Sequence, residues 1–296
     1  MSLVEDAARS TAYRRVKSMF FRALTLLALA FVLGPALWLL IGVAVKAVPH
    51  WSWSVLTSVP SGNGGGLENA ILGTLVIMVG VLVLAGTLGV LAGVFLAEFV
   101  SINAKGKERG VVLRTAIDVL AGFPSIVLGY VGYVALCVGV HWGFSLLAAL
   151  IILSLMVVPY ITKATETALR QVPTAYREGA EALGMRTGYG LRKVVLRAAL
   201  PGVVTGLLIA LSITVGETAP LLYTAGITND LPNWQLIHHP IGYLTYYVWT
   251  DWNQPMASLH YISYDASLIL LVMVLSLLIV SRVIVARTQR HSESVR

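Results

Sequence analysis

Six stretches of the chain are long enough to cross a lipid bilayer and carry almost no charge. Residues 23–45, 70–97, 119–140, 142–162 and 198–216 contain no Asp, Glu, Lys or Arg, and 266–286 contains only Arg282. That arginine lies near the end of its stretch, where its side chain can reach water. Roughly 20 helical residues span the hydrocarbon, and every backbone N–H and C=O there must be paired inside the segment. Closed β-barrels use shorter segments of alternating polarity, a pattern these stretches lack. The expectation is an all-α membrane protein with six transmembrane helices. Composition agrees, since 57% of residues are hydrophobic and 12% charged, whereas a soluble domain carries about 25% charged residues.

The basic residues orient the chain. Arg9, Arg14, Arg15, Lys17 and Arg22 precede the first span, and Lys105, Lys107, Arg109 and Arg114 follow the second. Lys163, Arg170, Arg177, Arg186, Arg192, Lys193 and Arg197 lie between the fourth and fifth, and Arg282, Arg287, Arg290 and Arg296 end the chain. With six spans all of these fall on one side, and only Lys46 falls on the other. An odd number of spans would scatter them. The positive-inside rule puts both termini and the 163–197 loop in the cytoplasm of a cell membrane protein. The net charge of +7 thus reflects topology, and no nucleic-acid partner is expected. The first span is too long for the apolar region of a cleavable signal, and no small-residue cleavage site follows it. The one cysteine, Cys137, lies within a span, so neither disulfides nor a cysteine metal site is expected. The histidines are scattered, and the His238-His239 pair reads as solvated residues of an external loop.

The 163–197 loop reads as helix–turn–helix. Pro173 stops one helix, and Thr174 can cap the next with its hydroxyl. Ala175, Gly179 and Ala182/Leu183 then recur at helical spacing as a stripe of mostly small residues, with Arg177, Glu178, Glu181 and Arg186 elsewhere on the surface. Gly184 stands where a left-handed residue closes a helix. A second helix from about Thr187 carries Leu191, Val194 and Val195 on one face, and Pro201 marks the start of the next span. An amphipathic hairpin lying on membrane lipid would account for the basic residues. It would not account for a stripe of Ala and Gly, which permits close approach of another protein's backbone.

Ionisable groups within spans are candidate functional residues. Glu217 follows Gly216 and precedes Thr218 and Pro220, so the helix should open there and leave carbonyls facing a cavity. It lies roughly 24 Å along a helix from Pro201, toward the outer leaflet. A structural hydrogen bond to a neighbouring helix is the competing role for it. Pro124-Ser125 should distort the third span and expose a hydroxyl. Asp118 is four residues after Arg114, the spacing of an ion pair on one helix, and Glu98 should be interfacial at the end of the second span. Gly89/Gly93 and Gly202/Gly206 suit tight helix packing. Outside, Trp51 and Trp53 suit the interfacial belt, residues 62–66 a flexible turn, and the aromatic-rich 223–264 segment either a lid or a docking site. No phosphate-binding loop of the form G-x-x-x-x-G-K-[ST], no H-E-x-x-H and no Ser/His/Asp set occurs, so no cofactor and no ATP-driven chemistry of its own are expected.

Glu178-Gly179-Ala180, then three residues, Gly184, nine residues and Val194-Val195-Leu196 resemble the EAA loop of ABC-importer permeases. That pattern has Ala at the place of Gly179, Ile at Val194 and Pro at Arg197, and Pro201 supplies a proline four residues later. Gly216-Glu217-Thr218-Ala219-Pro220-Leu221-Leu222 and Pro124-Ser125-Ile126-Val127-x-Gly129 resemble two signatures of PstA-type permeases of the phosphate importer. That family often has an Arg where this chain has Ile213. The likeness covers about 65–286. It implies the architecture of a type I ABC importer permease: a segment 1–66 with the basic tail and first span, a core 67–286 with coupling loop 163–197, and a basic tail 287–296. It further implies a non-enzymatic subunit that translocates phosphate, paired with a second related permease, two copies of an ATPase and an extracytoplasmic phosphate-binding protein. Thr174, Arg177, Glu178, Gly179, Ala180, Glu181 and Gly184 would couple to the ATPase, and Pro124, Ser125, Gly216, Glu217, Thr218 and Pro220 would line the pathway. Another oxyanion such as sulfate or molybdate, a stand-alone channel, or a membrane enzyme are the alternatives.

Overall fold

A computed structural model describes residues 2–61, 64–100, 104–233 and 235–293, with side chains described outside 2–13, 15, 16, 104–107 and 287–293. Residues 62 and 63 of the expected turn and the last three of the basic tail lie outside the described residues. The chain divides into two units, Met1–His50 and Trp51–Arg296. The first is a helix, α1 (Ser2–Ala47), that continues through Pro35 and ends in a short 3₁₀ turn, Val48–His50. Its side chains from Met19 to Val48 present large hydrophobic groups outward, as a lipid-facing or partner-facing span would.

The second unit opens with α2 (Ser54–Thr57) and a two-residue hairpin, β1 (Pro60–Ser61) against β2 (Gly64–Gly65). Then come α3 (Glu68–Val94), extended by a wide π-type turn over Phe95–Phe99, and α4 (Ala104–Ala121). α5 (Ser125–Gly132), also extended by a wide turn, leads to α6 (Leu146–Arg170). The loop holds α7 (Thr174–Ala182) and α8 (Thr187–Gly190), and α8 runs through a wide turn, Leu191–Val195, into α9 (Leu196–Gly216). Short α10 (Ala219–Thr224) and α11 (Leu244–Trp252) precede the final helix, α12 (Ala257–Glu293).

Five of the six expected spans are single long apolar helices, Lys17–His50, Glu68–Phe99, Leu146–Arg170, Thr187–Gly216 and Ala257–Ala286. The remaining one, the third in sequence, is a bent pair, Glu108–Ala121 and Ser125–Gly139, meeting at 99°. Pro124 explains the break. It lacks the N–H that would continue α4, disfavours helical geometry at Phe123, and sits just ahead of α5 with an extended ψ of 129°. Pro201, by contrast, does not mark the start of a helix. The helix that begins at Thr187 passes straight through it, and the wide turn at Leu191–Val195 lies immediately before α9.

α6 is the axis of the unit, with 67% of its apolar window buried against 11% for α12. Ile77, Val81 and Ala85 of α3 meet Leu153, Val157 and Ile161 of α6 in the main core. The two glycine pairs face neighbouring strips of this axis. A Cβ added at Gly89 would fall 2.7 Å from the Cβ of Ile161, and one at Gly93 would fall 2.5 Å from the Cβ of Thr165. On α9 a Cβ at Gly202 would fall 2.7 Å from the Cβ of Ala168, and one at Gly206 would collide with Ala164. Glycine therefore lets α3 and α9 both lie close on α6, as the small-residue spacing predicted. The 223–264 segment is partly built into the body of the unit, because Leu244 and Tyr247 of α11 pack with Leu67, Ala70 and Ala266 in a second core.

Candidate functional site

The 163–197 loop carries a helix held on one face and open on the other. α6 ends at Arg170 and Pro173 takes the N-cap position of α7 with ψ 142°. Thr174 is thus already inside the first turn and makes no side-chain cap, contrary to expectation, because the proline has occupied the capping place. The other end closes as expected. Gly184 has φ +71°, its N–H donates to the Glu181 carbonyl at 2.9 Å, and the Met185 N–H donates to the Ala180 carbonyl at 3.1 Å. This paired closure requires the left-handed conformation that glycine adopts without strain.

Along α7 the predicted stripe faces open space. Ala175, Gly179 and Ala182 are exposed, as are Thr174, Glu178, Glu181 and Gly184, and Leu183 is 76% exposed. Two of the predicted coupling residues lie on the other face. Ala180 is buried against Gly190, and the Arg177 side chain turns inward. The Arg177 guanidinium donates from Nη2 to Glu98 Oε1 at 2.6 Å and from Nε to Oε2 at 3.3 Å. It also donates to the carbonyls of Val172 at 2.9 Å and Leu169 at 3.0 Å, so it caps the end of α6 as well. Nearby, Glu166 on α6 accepts Arg114 of α4 at 2.7 Å and Arg170 at 2.8 Å. Asp118 pairs with Lys163 at 2.7 Å. The expected Arg114–Asp118 pair is therefore replaced by two bridges from α4 to α6, since α6 packs beside α4 and brings opposite charges to both residues.

The second group of candidates meets at the other break. α9 stops at Gly216, Glu217 is extended (φ −76°, ψ 131°), and α10 starts at Ala219 with Pro220 in its first turn, where no N–H is needed. The freed Glu217 carbonyl accepts the Thr245 hydroxyl at 2.9 Å. The Glu217 carboxylate lies near the Ser125 side chain at the start of α5. α5 then runs against α10, where a Cβ added at Gly129 would lie 2.7 Å from Pro220 Cα. The two motifs, some ninety positions apart, are thus brought together at Ser125, Glu217 and Pro220. Pro124 and Thr218 flank them and Gly216 stays exposed. Ile213 sits by Leu128, Ile152 and Met156 in an apolar cluster, where no charge partner is called for.

Above this break lies a mostly neutral network that the residue pattern did not announce. Asn69 Nδ2 donates to the Thr228 carbonyl at 2.8 Å and to the Tyr247 hydroxyl at 3.1 Å, and the Leu244 N–H donates to Thr74 Oγ1 at 3.0 Å. Asp251 of α11, outside the membrane-spanning helices, is only 8% exposed, and burial pushes its carboxyl up to about 6. Glu98, expected at the interface, carries a sequence signal as an acidic group ending a charge-free span, but its partner Arg177 is set by the fold. Thr245 and Asn69 carry no such signal.

Residues 89–290 match the family of the binding-protein-dependent transport system inner membrane component. The chain belongs to that family. It is accordingly a multi-pass inner membrane protein and a transport component, not an enzyme. Among its relatives is the phosphate transport system permease protein PstA 2 of Mycobacterium bovis, 55% identical over 277 residues, covering 93% of this chain and 90% of the relative. PstA of Yersinia pestis is 32% identical over 289 residues, covering 97% and 96%. A chain of the inward-facing MetNI methionine ABC transporter shares the fold, with TM-score 0.55 and 23% identity over 75% of this permease and 94% of that chain. The architecture is that of a type I ABC importer permease.

Proposed function

We propose that this chain is the permease subunit of an ABC importer for inorganic phosphate. It pairs with a second, related permease and with two copies of an ATPase subunit, and an extracytoplasmic phosphate-binding protein delivers the substrate. Both termini and the 163–197 loop face the cytoplasm. One observation carries the coupling role: α7 has its small-residue stripe fully open while its other face is fixed to the body of the protein. A helix so arranged accepts a protein cleft and transmits displacement inward. The substrate follows from the phosphate permeases that resemble the chain along most of its length.

In this reading ATP-driven closure of the ATPase moves α7, and with it α6 and α9, which the loop joins directly. The pathway opens and closes around the Ser125–Glu217 contact. A lone carboxylate is a poor ligand for an anion, so Glu217 gates the pathway or orders neighbouring donors such as Ser125 and Thr218. The test is uptake of radiolabelled phosphate by vesicles containing the full complex. Uptake that needs ATP and the binding protein, and that excess sulfate or molybdate does not compete away, is the expected result. Uptake without the ATPase would make the chain a channel, and competition by sulfate would change the substrate.

A further inference from the structure

The contact between Arg177 and Glu98 does more than hold a loop in place. α7 is joined covalently to α6 through residues 171–173 and to α9 through the residues after Ala182, and its backbone packs on α8 and the Leu191–Val195 turn. α3 has no such connection, and Glu98 precedes Arg177 by 79 positions. Between α7 and the end of α3 lies a cleft of about 440 Å³ whose walls include Glu98, Arg177, Ala180, Met185 and Leu191. Packing across it is incomplete, and the charge pair is the polar link that crosses it from α7 to the end of α3.

The geometry suits transmission of force. Two donor–acceptor contacts, Nη2–Oε1 and Nε–Oε2, fix orientation as well as distance. The same guanidinium holds the Leu169 and Val172 carbonyls, so α3, α6 and α7 meet at a single group. The side chains are 28% and 16% exposed, which keeps the pair partly shielded from salt. Glu98 stands in the π-type turn Phe95–Phe99, an interruption of the helical register that occurs often at functional positions.

We propose that Glu98 and Arg177 form a strut that passes displacement of the coupling helix to α3, so that α3, α6 and α9 move as one body. Both are positioning residues, and the proposal rests on the coupling role assigned to α7. The test compares Glu98→Gln with the unaltered chain in the complete reconstituted complex, reading phosphate moved per ATP hydrolysed together with co-purification of the ATPase. Co-purification should persist, while phosphate moved per ATP falls about five-fold or more. A second variant, Glu98→Cys with Arg177→Cys in a Cys137→Ser background, should show the same loss and recover when a short thiol cross-linker bridges the two positions. An unchanged ratio in Glu98→Gln would overturn the strut, as would loss of the ATPase from the complex, which would make the pair an assembly contact. Absence of ATP-driven phosphate uptake in the unaltered complex would instead overturn the proposed function, and the strut with it.

Discussion

The two ends of this permease are fastened by different chemistry. At the loop end, helices are joined by charge, Arg114 to Glu166, Lys163 to Asp118 and Arg177 to Glu98, with Arg170 adding to Glu166 within α6. At the end where α11 sits, the contacts between elements are chiefly neutral, with Asn69 on Thr228 and Tyr247, Thr74 on Leu244, Thr245 on Glu217, and the Ser263 hydroxyl on the Val248 carbonyl. The charged contacts are partly exposed, whereas Asn69 and Leu244 are fully buried. Exposed ion pairs contribute little net stability but re-form readily in water, which suits a surface that moves with a motor. Buried neutral bonds are costly to break and insensitive to salt, which suits a part that keeps its shape.

The sharpest way to break this contrast is at the buried end. Asn69→Ala removes both donor contacts and leaves the Thr228 carbonyl unpaired, so unfolding in detergent should become easier by about 3 kcal/mol. That loss should be the same at low and high salt. Asp251 adds a pH dependence to the same end. Burial pushes its carboxyl up to about 6 in the folded protein, above the ordinary carboxylate value of 3.8. The neutral form is therefore the favoured folded form, and its contribution is complete below about pH 4 and lost as pH rises through 6. Asp251→Asn should be more stable than the unaltered chain above pH 6, by roughly 2 kcal/mol, and equal to it near pH 4. Melting curves across that range would check the sign.

At the charged end effects should be smaller and should depend on salt. Glu166→Gln weakens two bridges and should cost about 1–2 kcal/mol at low salt, with part of the difference disappearing at high salt. Lys163→Ala breaks a pair whose side chains are 54% and 65% exposed, and should cost under about 0.5 kcal/mol. If the Asn69 variant proved salt-sensitive and the Glu166 variant did not, the assignment of chemistry to the two ends would be reversed.

The same contrast explains what could be read from residues alone. The spans and the helix after Pro173 follow from local runs of apolar residues and local breakers, and local signals were enough to place Gly184 at a left-handed helix end. The breaks were legible too, because Pro124 and the Gly216–Pro220 run act on the backbone beside them. The 99° bend was not, since a proline determines where a helix stops and not where the next one points. Pairing failed wherever the partner was distant. Arg114 finds Glu166 on another helix in preference to Asp118 one turn away, and no spacing rule could reveal that. Ser125 and Glu217 were singled out separately, for separate local reasons, and only the fold makes them a pair. α11 was hidden in an aromatic, proline-containing segment whose helical content depends on packing against α12.

The central claim is that the open face of α7 is held by an ATPase, and photo-cross-linking tests it most directly. A photoreactive amino acid at Leu183, 76% exposed at the end of α7, would be compared with one at Trp249, 60% exposed on α11. In membranes containing the assembled complex, the probe at Leu183 should label the ATPase subunit and the probe at Trp249 should not. Labelling of lipid alone from Leu183, or of the ATPase from Trp249, would contradict the account.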